Sequence, residues 1–419
     1  MQPWFPDAKL GIFLHYGIYA VDGVPESWAF YNGDVPHADY MRQLGGFTAA
    51  NYDPRSWASL FAQAGARYAV LTARHHDGFA LWDSAFGDLN VTRTPAGRDL
   101  LGPYADALRE KGLKVGFYYS HSDWNHPLYP SVRSTGAAQW VNDNRYVAPP
   151  SGSEDPEAWQ RYLDYRDGQV AELVERYRPD LLWFDGEWER AEDQWRIDRL
   201  ADAILAANPR TVLNARMLSR GDYATPEQGV PMTPPDGPWE LCLTVNDSWG
   251  YQHKDDNHKS VRQIVRYFAE TIGAGGNLLL DVGPTEDGTI TGEQAARLTG
   301  LGDWIRANEE AVYGTVAGLP AGHHYGPSTL SADRRTLYLT CFDPPCETVG
   351  VRGLRSKVKR VRVLGSCTEL GHRVTGGLHE VPGVLWIDAP AASGLNEYAT
   401  VLAVELDGEV DIYRGTGRD

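Results

Sequence analysis

Seven short apolar runs recur along the first three-quarters of the chain, and helical patterns separate them. The runs are "LGIFLHYG" (10–17), "YAVLTARH" (68–75), "KVGFYYS" (114–120), "LLWFD" (181–185), "TVLNAR" (211–216), "LCLTVN" (241–246) and "NLLLDVG" (277–283). They do not alternate between apolar and polar residues, as a strand with one wet face would. A near-continuous apolar run is what a parallel strand covered on both faces requires. The clearest helix is predicted over 157–178, with Trp159, Tyr162, Leu163, Val170, Leu173, Val174 and Tyr177 on one face and Pro179 as its stop. "DLLGPYADALREKG" and "SVRQIVRYFAETIGAGG" end in Gly, as helix C-termini do. Strand–helix alternation of this length predicts an α/β fold, and specifically a (β/α)8-like, TIM-type barrel. Seven strands are clear, and the eighth is not evident.

After Thr315 the texture changes. "TLYLTCF", "VKRVRVLG", "GVLWIDAP" and "ATVLAVEL" are short strand patterns between Gly, Pro, Ser and Asp, without amphipathic helices. They predict a C-terminal antiparallel β-sandwich, so the expected division is a catalytic barrel over 1–318 and a sandwich over 319–419. Residues 125–156 form a long irregular stretch after the third strand, of the kind that walls a cleft.

Net charge is −17, which disfavours nucleic acid and anionic membrane as partners, because phosphate binding needs clustered Lys and Arg. The four cysteines show no CxxC spacing and read as structural thiols. The start "MQPWFPDAKLGIF" lacks a basic region followed by an apolar one, and no run long enough to span a membrane occurs, so a cytoplasmic protein is expected.

Reactive side chains fall at the ends of the predicted strands. His15 closes the first; His75, His76 and Asp77 the second; Tyr118, Tyr119 and His121 the third; Asp185 the fourth; Arg216 the fifth. In a barrel these ends share one rim, where active sites are built. Each has an ordinary reading too: Asp-Gly is a common turn, and a lone His at a strand end is commonly structural. Glu187 and Glu189, past Gly186, are expected to be solvated. "HHDG" has no accompanying third ligand spacing, so no metal is assigned. "GAGGN" lacks the dinucleotide-binding spacing. The convergence of so many polar groups is what favours a site. Neutral sugars suit such a ring of donors, and glycoside cleavage needs two carboxyl groups of opposite protonation. Asp185 suits the ionised partner. Glu227 in "GDYATPEQ" and Glu240 in "PWELCLT" are candidates for the protonated one.

Taken together, "KLGIFLHYGIYAV", "ARHHDGFALWDS", "GFYYSHSDW", "DLLWFDGEWE", "NAR", "GDYATPEQ", "WELCLTVNDSWGY" and "GAGGNLLLDVGP" resemble, in order, the motifs of the α-L-fucosidases of glycoside hydrolase family 29. The resemblance covers about residues 4–315. It implies Asp185 as catalytic nucleophile and Glu227 as acid/base, with Glu240 the alternative. It implies His15, His75, His76 and Tyr119 as ligands of sugar hydroxyls, Trp28 as a loop residue bordering the sugar, and Phe13 and Trp249 as apolar groups around the fucose methyl; Arg216 matches the family's Arg at the rim. Two departures stand out. "ESW" replaces the usual S-E-W and shifts Glu26 by one, and Asp281 stands where Asn is common.

The implied activity is a retaining exo-α-L-fucosidase, acting through a covalent fucosyl-enzyme on fucosylated oligosaccharides or glycoconjugates. No metal or organic cofactor is implied, and a homo-oligomer is compatible with the sequence. The rival readings are an α-L-galactosidase of the same fold and a non-catalytic carbohydrate-binding barrel.

Overall fold

The computed structural model describes residues 1–129, 155–345, 347–366 and 368–415. Most of the predicted cleft wall at 125–156 lies outside the described residues. Seven parallel strands form one sheet: β1 (Leu10–Leu14), β2 (Tyr68–Arg74), β3 (Lys114–Ser120), β4 (Leu181–Asp185), β5 (Val212–Leu213), β6 (Glu240–Thr244) and β7 (Asn277–Val282). Their spatial order is β5-β4-β3-β2-β1-β7-β6. Nearly every residue in these strands is buried, which accounts for runs without alternation. Helices Pro54–Gln63, Leu101–Glu110, Pro156–Tyr177, Ile197–Ala207, Val261–Gly273 and Gly292–Ala307 fall between or after the strands. Asp53, Asp155 and Ser260 cap three of them by accepting backbone N–H groups, as N-cap side chains do.

The sheet is curled. Phe13, Tyr68, Val70, Tyr118, Leu181, Trp183, Val212, Cys242 and Leu279 come from all seven strands, yet they meet in one apolar cluster on the inner face. The seven strands counted in the sequence are all present, and among the described residues no eighth regular strand joins this sheet. Between β5 and β6 runs an irregular segment, in which Asn214 bridges Tyr223, Ala224 bridges Trp239, and Glu227 bridges Cys242, all parallel. Its backbone is bonded on both sides: Asp222 N–H donates to Leu213 O at 2.7 Å, and Gln228 N–H to Cys242 O at 2.9 Å. Two prolines, Pro226 and Pro238, remove donors along this seam, so it cannot form a regular ladder.

The C-terminal part is antiparallel. β8 (Thr315–Ala317), β9 (Ser328–Ser331), β10 (Thr336–Cys341), β12 (Val358–Val363) and β15 (Thr400–Leu406) form a five-stranded sheet, ordered β12-β15-β10-β9-β8. β11 (Val349–Val351), β13 (His372–Thr375) and β14 (Val384–Ile387) form a three-stranded one. Leu337, Leu339, Val361, Leu402 and Val404 of the larger sheet share a core with Val349, Val351, Leu385 and Ile387 of the smaller. The larger sheet therefore begins at Thr315, a few residues before position 318. Lys9 Nζ donating to Thr315 O (2.8 Å) and Trp304 Nε1 donating to Ala399 O (2.8 Å) tie the two parts together.

Candidate active site

The C-terminal ends of the parallel strands surround a pocket lined by Phe13, His15, Trp28, His75, Tyr118, Trp183, Asp185, Trp188, Arg216, Glu227, Cys242 and Trp249. Asp185 ends β4. Side chains alternate along a strand, so Trp183 and Asp185 share the inner face while Leu182 and Phe184 pack outward against the helices. Asp185 is held at both oxygens: Arg216 Nη1 donates to Oδ1 at 2.8 Å, and Tyr118 O–H donates to Oδ2 at 2.9 Å.

Arg216 lies just past β5, in the turn Ala215–Arg220. Its guanidinium gathers three carboxylates: Asp185, Glu227 Oε2 at 3.3 Å from Nη2, and Glu187 Oε1 at 3.8 Å from Nε. The ring of Trp183 lies under it, 5.3 Å from the guanidinium carbon. Glu227 sits on the seam segment. Burial and the nearby Asp185 raise its pKa against the opposing pull of Arg216. A carboxyl group with a raised pKa beside one that accepts from a cation is the kind of pairing glycoside cleavage uses.

Three histidines complete the ring, each anchored through Nδ1. His15 Nδ1 lies 2.7 Å from Asp281 Oδ1, His75 Nδ1 lies 2.6 Å from Ser27 Oγ, and His76 Nδ1 lies 2.5 Å from Ser120 Oγ. Ser120 O–H donates onward to Ser122 O (2.7 Å), which makes Ser120 Oγ the acceptor from His76. Burial pushes His75 well below the usual imidazole value and His76 to about 4, so both are neutral at pH 7. His76 Nε2 stands 3.5 Å from Asp185 Oδ2. Phe13 and Trp249 face each other near His15, with ring centroids 6.1 Å apart, and Trp28 stacks on Trp188 across the mouth at 6.2 Å.

Several sequence expectations change. Tyr119 does not reach the pocket: it is on the outer face of β3, where its O–H donates to Gln169 Oε1 (3.0 Å) and Arg74 lies over its ring. Its neighbour Tyr118 takes the inner position. Glu187 and Glu189 are not solvated, because the chain after Gly186 folds back as a short 3-10 turn, Glu187–Glu189. Glu189 is 4 % exposed and accepts from Trp124 Nε1 (2.8 Å) and Tyr129 O–H. Glu187 is raised to about 7, by burial and by Asp185 against the pull of Arg216. Glu240 begins β6, at the end of the sheet away from the rim, and its oxygens accept from Tyr68 O–H (2.5 Å) and Trp183 Nε1 (2.9 Å). It is a buried anchor, not a rim residue. Glu26 is buried as well, accepting from Gly250 N–H at 2.5 Å. Trp183, Trp188 and Cys242 line the pocket unforeseen. The first could have been found by stepping two residues back from Asp185.

Two carboxyl groups drawn to one guanidinium, inside a pocket of aromatic faces and imidazoles, are the equipment of a glycoside hydrolase. Comparison with known proteins narrows that class. The α-L-fucosidase family profile matches residues 1–310. The chain is 32% identical over 342 residues to the tissue α-L-fucosidase of Rattus norvegicus, covering 74% of this chain and 69% of that protein. It is 32% identical over 346 residues to the tissue α-L-fucosidase of Homo sapiens, covering 75% and 69%. Among solved structures it is similar to α-L-fucosidase isoenzyme 1 from Paenibacillus thiaminolyticus, with TM-score 0.85, 34% identity, and coverage of 96% and 98% of the two chains. It is also similar to the Thermotoga maritima α-fucosidase in complex with fucose, with TM-score 0.78, 29% identity and 96% of both chains covered. The chain belongs to the α-L-fucosidase family of glycoside hydrolases.

Proposed function

We propose that the chain is a retaining exo-α-L-fucosidase that releases terminal fucose from oligosaccharides or glycoconjugates by double displacement. The observation that carries this reading is the shared grip of Arg216 on Asp185 and Glu227. Two carboxyl groups on one guanidinium favour the close separation of about 5–5.5 Å used by retaining enzymes over the wider gap that admits a water in inverting ones.

In the first step an Asp185 oxygen forms a bond to the anomeric carbon as the glycosidic C–O bond breaks. Each Asp185 oxygen has one donor, from Arg216 or Tyr118, so a lone pair remains for attack. Glu227 delivers its proton to the leaving oxygen. In the second step Glu227 takes a proton from water, whose oxygen displaces Asp185 and restores the starting configuration. Neutral His75 and His76 and their neighbour His15 present Nε2 to ring hydroxyls, and Phe13 with Trp249 forms an apolar wall for the methyl at C5. We read the curled sheet as a barrel whose eighth position is filled by the seam, and the two antiparallel sheets as a sandwich.

The test is the first-formed anomer when an aryl α-L-fucoside is hydrolysed in an NMR tube. Retention releases α-L-fucose before mutarotation. Initial release of the β-anomer would refute the double displacement.

A further inference from the structure

Three histidines at the rim, two of them lining the pocket, are held by the same ring nitrogen but by different chemistry. His75 and His76 meet serine hydroxyls, whereas His15 meets a carboxylate. β1 and β7 are adjacent in the sheet, with Phe13 opposite Asp281, so His15 and Asp281 project to the same inner face. His15 is 4 % exposed and Asp281 fully buried, with 2.7 Å between Nδ1 and Oδ1. The second oxygen of Asp281 has no hydrogen-bond partner. Among the described residues His15 is the one counter-charge at contact distance from this carboxylate, and a buried unpaired charge is costly.

We propose that Asp281 is a positioning residue that holds His15 as an imidazolium, so that Nε2 meets a sugar hydroxyl as a charged N–H donor. The pocket then divides its work: His75 and His76 stay neutral, and His15 is a cation that donates. Other groups facing His15 agree with this. Glu26, on the segment before Trp28, and Asp185, on β4, both favour the cation electrostatically. His75, at the end of β2 and 5.8 Å away between ring centroids, is kept neutral and does not oppose it. Tyr118, Phe13 and Trp249 supply uncharged ring faces. Burial is the largest single influence and lowers the pKa of His15, but Asp281, Glu26 and Asp185 together carry the net displacement upward. A raised imidazole pKa means the cation is present at low pH and is lost as pH rises through that value.

The test compares the native enzyme with Asp281→Asn, which keeps the shape and removes the charge. In ¹⁵N NMR at pH 7, both ring nitrogens of His15 are expected to be protonated in the native enzyme, and one in the variant. The variant's KM for an aryl α-L-fucoside should rise about tenfold, with a smaller change in kcat, because charge-assisted hydrogen bonds are roughly twice as strong as neutral ones. The alkaline limb of kcat/KM should move to lower pH by about 1–3 units, the range set by loss of an adjacent opposite charge. A neutral His15 in the native enzyme at pH 7 overturns the proposal, as does a variant with lower kcat but unchanged KM and pH limb. If the variant does not fold, the native titration decides alone. The inference rests on this pocket being the sugar site. Absence of fucoside turnover by the native enzyme would defeat that reading, while the native NMR titration still decides the state of His15.

Discussion

Arg216 binds Asp185 at 2.8 Å through one Nη and Glu227 at 3.3 Å through the other, so a single side chain spans the two carboxyl groups. Lys cannot reproduce this, because its ammonium is a single point rather than a fork. Arg216→Lys should lower kcat/KM for an aryl α-L-fucoside by two or more orders of magnitude while leaving the melting temperature within a few degrees. Near-native turnover in that variant would show that the two carboxyl groups are placed by their strands alone.

Asp185→Gly should lose turnover by several orders of magnitude, since attack on the anomeric carbon is lost. The cavity left between Tyr118 and Arg216 is open to small anions, so azide should restore part of the rate and yield a fucosyl azide. An Asp185→Asn variant with ordinary activity would exclude this residue as the nucleophile.

Glu227 and Glu240 separate cleanly in their expected effects. Glu227→Ala should slow fucosides with poor leaving groups far more than those with good ones, because only the former need a proton. Glu240→Ala should show no such dependence. It would leave Tyr68, Trp183 and Tyr223 without their acceptor and cost about 1–3 kcal/mol per stranded buried group, read as a lower melting temperature.

Glu26, Glu187, Glu189 and Glu240 are each raised to about 7, in every case chiefly by burial. A carboxyl group whose pKa is higher folded than unfolded stabilises the fold fully below its unfolded value near 4.5, and that contribution is lost as pH rises towards 7. The melting temperature should therefore fall between about pH 5 and pH 8. Glu240→Gln, which mimics the protonated form, should flatten part of that slope. A melting temperature that climbs across the interval would contradict the burial of these acids.

Phe13 and Trp249 predict preference for a C5 methyl over a hydroxymethyl. Burying the methyl is favourable by about 0.8 kcal/mol, and a hydroxyl buried without a partner costs roughly 1–3 kcal/mol. The 4-nitrophenyl α-L-fucoside should exceed the α-L-galactoside in kcat/KM by about one to three orders of magnitude. Asp281 engages His15 through Oδ1. Equal values would place a hydroxyl partner in the wall.

The parallel strands were legible because burial on both faces writes a continuous apolar run. The same property hid their orientation. Tyr118 and Tyr119 both look like core residues of β3, and with no wet face to set the phase, nothing in the run says which ring turns inward. Anchoring the phase on Asp185 at the rim finds Trp183, but that anchor does not carry across to β3. Glu187 and Glu189 were misplaced because acidity suggests solvent, whereas Trp124 and Tyr129 reach the second from a different loop. The seam between β5 and β6 is illegible for a simpler reason: it is held by scattered bridges between prolines and has no strand period to detect.

That seam also makes the two carboxyl groups unequal in what the chain can do with them. Asp185 belongs to a ladder, so moving it by one residue would turn it to the other face and misalign β3 and β5 with it. Glu227 belongs to no ladder and is held where Cys242 N–H donates to Pro226 O (3.2 Å) and Gln228 N–H donates to Cys242 O (2.9 Å). Asp185 is thus fixed by the ladder itself, whereas Glu227 is fixed by the local pairing of its neighbours with one residue of β6.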